Sequence, residues 1–257
     1  MNIIDFDRHC TAIGQQAVLF ARHLNGADVT APVPSCPDWN VSQLSRHVEG
    51  GLRWAQQIVA NRASEPPPDT ALRDLATAVH ENPDELAVAI RLAAASLVTT
   101  LREAGPAAQM WCPVAGGGSA FYARRFAHET AAHRADAALA LGLPFLLDDD
   151  VACDGLEEWL ELGSMPFHFD VHPEMRELLG PGRTIGLHAT DTGGHWLLDL
   201  TGDAIAWRRG DEPASARLRG PVTEILLVLY RRLPVTAVEV VGDGGLIDFW
   251  LERVAFG

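Results

Sequence analysis

Hydrophobic spacing changes once along this 257-residue chain, near residue 165, and that change limits the folds open to it. Before that point apolar residues recur every three or four positions, the pattern of helices buried along one stripe. Phe6, Cys10, Ile13, Ala17, Phe20 and Leu24 form one such stripe, closed by Asn25-Gly26. Val41, Leu44, Val48 and Leu52 form a second, which Asn40 or Asp38 can cap. A third helix starts at Asn82-Pro83-Asp84-Glu85, with Asn82 as cap and Pro83 in the first turn, and runs to about Gly105. Ser119 can cap a fourth, which ends near Leu141-Gly142. Four long striped helices predict an all-α four-helix bundle. A fifth helical segment follows the Asp148–Asp150 run, which reads as a solvated loop and cap.

Beyond residue 165 the period shortens to two. T-I-G-L-H-A-T-D, H-W-L-L-D-L-T-G, A-I-A-W-R-R-G and S-A-R-L-R-G read as strands separated by Gly- and Asp-rich turns. This is the pattern of an antiparallel meander. P-V-T-E-I-L-L-V-L-Y-R-R is an apolar helix that must pack on the sheet, and a further strand and helix close the chain. The expected fold is multidomain: a bundle over residues 1–165, then an α+β domain with an antiparallel sheet over 166–257. Three connections stand out. A-P-V-P-S-C-P-D-W-N reads as a proline-rich loop, residues 61–82 as a mobile insertion, and 106–118 as a flexible loop. The three glycines of the last could cradle phosphate, but no strand precedes them and no G-K-[ST] follows.

Charge narrows the partners. With 34 acidic and 20 basic residues the formal net charge is −14, so phosphate backbones are repelled and no nucleic acid is expected. No apolar run reaches the roughly 18 residues of a membrane span, and the first residues do not read as a signal peptide. Cys10, Cys36, Cys112 and Cys153 are scattered and lack C-x-x-C spacing, which suits reduced thiols in a cytoplasmic chain and argues against a zinc site built from cysteines alone.

The fourth helix contains R-R-F-A-H-E-T-A-A-H-R-A-D, residues 124–136. Glu129 and His133 are four apart and leave a helix about 40° apart, while Asp136 falls on the same stripe. His128 and His133 are five apart and diverge by about 140°, so this is not the H-E-x-x-H zinc helix. A carboxylate and an imidazole facing one way make half a metal site; they also occur as an ordinary surface pair. A third ligand must come from elsewhere. His47, in the second helix beside Gly50 and Gly51, is either a core histidine held by a hydrogen bond or that ligand.

P-S-C-P-D-W-N-V-S-Q-L-S-R-H, then R-R-F-A-H-E-T-A-A-H-R-A-D, then an α+β domain together resemble the mycothiol-dependent maleylpyruvate isomerase family. Its N-terminal bundle belongs to the DinB/YfiT-like superfamily, and its C-terminal domain is sterol-carrier-like. The resemblance implies a divalent metal, usually zinc, held by His47, Glu129 and His133, with an open position for water or substrate. Asp136 is then the candidate hydrogen-bond partner of a ligand histidine. The implied cosubstrate is mycothiol, a small thiol that bound zinc activates for addition to an electrophilic small molecule, in an isomerase or an S-transferase. The alternative is a metal-binding bundle fused to a ligand-binding module, a carrier, sensor or stress protein without turnover.

Overall fold

The structure is a computed structural model describing residues 4–254, so positions 1–3 and 255–257 of the two expected domains lie outside the described residues. The chain divides into two compact units, residues 4–145 and those from 146 onward.

The first unit contains α1 (Phe6–His23), β1 (Pro32–Val33), β2 (Cys36–Asn40), α2 (Val41–Asn61), α3 (Thr70–Arg73), α4 (Pro83–Ala104) and α5 (Ser119–Ala140). The apolar stripes meet as their spacing requires: α1 packs on α4 and α5, and α2 packs on α4 and α5. Ile13, Phe20, Leu44, Leu52, Ile58, Leu86, Ile90 and Leu97 are fully buried. Each such side chain contributes about 1.5–3 kcal/mol. Arg134 is also buried; its Nε donates to Gln16 Oε1 at 2.6 Å and its guanidinium lies 4.1 Å from the Phe145 ring centre, which ties α5 to α1.

The caps fix the helix starts. Asn40 and Gln43 form a reciprocal capping box on α2, and Asn82 accepts from the Asp84 and Glu85 N–H groups ahead of α4. Ser119 does not cap α5. The capping position is Gly118, and Ser119 Oγ is buried without a hydrogen-bond partner. Gly118 is packed too tightly for a side chain, since a Cβ there would meet the Ala108 carbonyl oxygen at 2.4 Å.

Two connections differ from expectation. The proline-rich segment forms a short antiparallel hairpin, with Val33 opposite Cys36 and a two-residue turn at Pro34-Ser35. Residues 62–82 are tied down along α2. Trp54 Nε1 donates to the Pro67 carbonyl, Gln43 Nε2 to that of Leu75 and Asn40 Nδ2 to that of Val79, and Arg46 pairs with Glu81. The polar groups that make this segment look loop-like find their partners on α2 instead of in water.

The second unit contains α6 (Asp149–Gly163), α7 (His168–Val171), β3 (Thr184–Ala189), β4 (His195–Asp199), β5 (Ala206–Arg209), β6 (Ala216–Gly220), α8 (Val222–Leu229), β7 (Glu239–Gly242) and α9 (Gly244–Arg253). α6 packs on α8 and so belongs to the unit that begins at residue 146. Glu157 of α6 also reaches the sheet: its carboxylate accepts from Trp196 Nε1 at 2.7 Å and from Arg209 Nη2 at 2.8 Å. The strand order is β5-β4-β3-β6-β7.

The sheet is mixed, not wholly antiparallel. β6 pairs in parallel with β3, with Ile185 opposite Ala216 and Ala189 opposite Gly220. From edge strand β5 the chain crosses the sheet at residues 210–215 to reach the far side of β3, where a meander would have placed β6 beside β5. Asp211 in that crossing lies 3.1 Å from His195 Nδ1 and 2.9 Å from an Arg217 Nη, bracing it over β4 and β6. α8 packs on β3 and β6, and α9 on β6. Among the described residues no helix is long and apolar enough to cross a membrane.

Candidate metal centre

α2 and α5 pack together, and each brings one imidazole to the same place. The His47 and His133 rings meet edge to face, 5.0 Å between centres and 85° between planes. Glu129, one turn before His133, places Oε2 3.5 Å from His133 Nε2 and 3.7 Å from an Arg125 Nη. The three residues singled out in the sequence are thus assembled on one side of the α2–α5 pair. His128 goes elsewhere; its ring meets His9 of α1, 6.1 Å between centres.

The hydrogen bonds fix which ring nitrogens carry hydrogen. His47 Nδ1 lies 2.9 Å from the Leu72 carbonyl oxygen, which can only accept, so Nδ1–H donates and Nε2 is left with the lone pair. His133 Nδ1 lies 2.9 Å from Asp136 Oδ2, and the same logic makes Nδ1 the donor to that carboxylate. Asp136 is completely buried, and its other oxygen, Oδ1, accepts from the Ser35 hydroxyl. Both rings therefore keep their lone pair on Nε2, the arrangement that also orients histidines where they bind a metal. Burial first, and then the neighbouring His133, hold the His47 imidazole below its ordinary value, while the Leu72 hydrogen bond opposes them.

Exposure is graded. The side chain of Glu129 is 41% exposed, that of His133 13% and that of Asp136 0%, so the cluster opens to solvent on the Glu129 side. Trp39 of β2 flanks His47 with its ring centre 4.7 Å away. Gly51 lies one turn beyond His47, and a Cβ there would meet Phe126 at 3.5 Å, an ordinary contact, so packing alone does not require glycine.

Three groups at this cluster carry no signal in the sequence. The Leu72 carbonyl belongs to the backbone, and any residue would supply it. Ser35 sits in a turn, where serine is common for local reasons. Trp39 lies in a segment whose three prolines point away from strand structure.

A helical unit whose packed helices present two imidazoles and a carboxylate, continued by a unit with a mixed sheet, defines a multidomain protein of helical and α+β parts. The chain belongs to the family described as the mycothiol maleylpyruvate isomerase N-terminal domain, which matches residues 10–138. Over 92% of this chain and 93% of the other, the fold is similar to a crystal structure of the mycothiol-dependent maleylpyruvate isomerase, at 14% identity and a TM-score of 0.62. A histidine-to-alanine mutant of the protein so named gives 13% identity and 0.61 over the same shares. A search of curated proteins finds no match to this sequence.

Proposed function

We propose that this protein is a thiol-using enzyme in which His47, Glu129 and His133 of a DinB/YfiT-like four-helix bundle hold a divalent metal, zinc by preference. The observation that carries this is the matched pair of imidazoles, each with Nδ1 committed to an acceptor and Nε2 left for a cation. In the neutral ring, His133 Nε2 and Glu129 Oε2 are two electron-rich atoms 3.5 Å apart, an arrangement a cation relieves. Two nitrogens and one oxygen are a donor set that zinc accepts while keeping a position open.

A metal bound there supplies Lewis acidity that brings a thiol's pKa toward neutrality. The chain's own residues set the conditions. The Leu72 carbonyl and Asp136 hold the protons on the two Nδ1 atoms, and Trp39 covers one flank of His47. Two of the protein's own thiols are poorly suited as nucleophiles: burial pushes Cys10 and Cys153 up to about 11. The thiol comes from outside, and the proteins of similar fold are named for mycothiol. Addition to a conjugated electrophile and departure after rotation gives an isomerase; a single attack gives an S-transferase.

Protein purified without an affinity tag should contain about one equivalent of zinc by elemental analysis and consume mycothiol in the presence of monochlorobimane. Intact zinc with no thiol consumption would favour the alternative, a metal-binding bundle fused to a ligand-binding module without turnover. Absence of bound metal after reconstitution would remove both.

A further inference from the structure

The β1–β2 hairpin packs against both helices that carry the cluster: β1 contacts α5 and α2, and β2 contacts α2. It is anchored at its base by two backbone bonds, Val41 N–H to the Ala31 carbonyl at 3.0 Å and Ser42 N–H to that of Val29 at 2.8 Å. Two of its side chains reach the site from this one short ribbon. Trp39 flanks His47, and Ser35, at the turn, donates to Asp136 Oδ1 across 101 positions of sequence.

The geometry points to Ser35 as a positioning residue for the metal centre, acting through Asp136 on His133. Resting as it does on the proposed metal site, the inference adds a residue that the ligand set does not contain. The physical reason lies with Asp136. Its carboxylate is completely buried, and a buried carboxylate rotates toward whatever donors it has. Ser35 occupies Oδ1, which leaves Oδ2 aimed at His133 Nδ1. That bond fixes the ring's rotation and its tautomer, and with them the direction in which Nε2 points. A ligating imidazole whose Nδ1–H meets a carboxylate is also a better donor to the metal. Without the hydroxyl, Asp136 has one donor fewer in a dry site and His133 is held less firmly in its register. Groups that support a ligand in this way typically change metal affinity by about 10- to 100-fold.

The test compares Ser35→Thr with Ser35→Val in the full chain. The two side chains are close in size and differ in the hydroxyl. Zinc affinity is read by competition with a chromogenic chelator, and cobalt substitution adds the visible d–d spectrum of the bound ion. Expected are wild-type affinity and spectrum for Ser35→Thr, and for Ser35→Val a loss of at least about tenfold with an altered cobalt spectrum. Thermal unfolding of the metal-free proteins shows whether the two variants are equally folded. If Ser35→Val unfolds, Ser35→Ala takes its place in the same comparison. Equal zinc affinity and unchanged spectra in the folded hydroxyl-free variant would overturn the positioning role while leaving the metal site intact. Failure of the wild-type protein to hold zinc or cobalt would overturn the site itself, and the role of Ser35 with it.

Discussion

The indole of Trp39 and the imidazole of His47 lie 4.7 Å apart, centre to centre, with their planes inclined by 43°. Together with the Leu72 hydrogen bond on Nδ1, the contact leaves the His47 ring little freedom to turn. Ring pairs of this kind contribute about 0.5–1.5 kcal/mol beyond area burial.

Trp39→Ala should therefore weaken zinc binding by up to about tenfold, and Trp39→Phe by much less, because it keeps an aromatic face on His47. Chelator competition on both variants checks this. Equal affinities for alanine and phenylalanine would mean that the ring contact does not hold His47.

Metal should appear as stability. A ligand at 100 times its Kd stabilises the folded state by about 2.7 kcal/mol. For each unit of this size the melting temperature rises about 2–4 °C per kcal/mol, so zinc should raise it by several degrees and chelation should reverse the rise. His47→Ala and His133→Ala should abolish the zinc-dependent shift, and Glu129→Gln should reduce it, in calorimetric scans with and without metal.

In the second unit, Glu157 is the buried member of an ion pair with Arg209 and also accepts from Trp196 Nε1. Arg209→Ala leaves that carboxylate short of its charged donor and should cost about 1.5–3 kcal/mol. Glu157→Gln should cost less, since the amide oxygen still accepts from Trp196. Urea unfolding curves of the two variants would rank them.

The buried thiols set an alkaline limit. Cys10 and Cys153 are pushed up from the ordinary thiol value to about 11, mainly by burial. A thiol raised in the folded state favours folding fully below its unfolded pKa, and that contribution fades as pH rises through the folded one. Stability should thus fall between about pH 9 and pH 11, and a Cys10→Ala/Cys153→Ala double mutant should lose less of its own stability over the same range. At pH 8 both cysteines should react with iodoacetamide more slowly than half-buried Cys36.

The long helices and their caps at Asn40 and Asn82 were legible because stripe and cap are local: the residues that make them lie within a few positions of each other. The strand positions were legible for the same reason. Pairing was not. Nothing within Ala216–Gly220 states that it lies beside β3 in parallel; that follows from where a six-residue crossing can land. The hairpin was hidden by Pro32, Pro34 and Pro37, which an edge ribbon tolerates and a longer sheet would not. At the candidate site, His47, Glu129, His133 and Asp136 could be singled out by side-chain chemistry and helical spacing. The Leu72 carbonyl could not, because a backbone acceptor looks alike at every position.

The interior place of β3 has a consequence during synthesis. Its partner β4 is made within a few residues, but the strand on its other edge begins only at Ala216. Until the ribosome has released that stretch, the nascent sheet presents a bare row of peptide groups along β3, ready to pair with another chain. Products terminated between residues 209 and 216 should accumulate in inclusion bodies, where the finished chain would not.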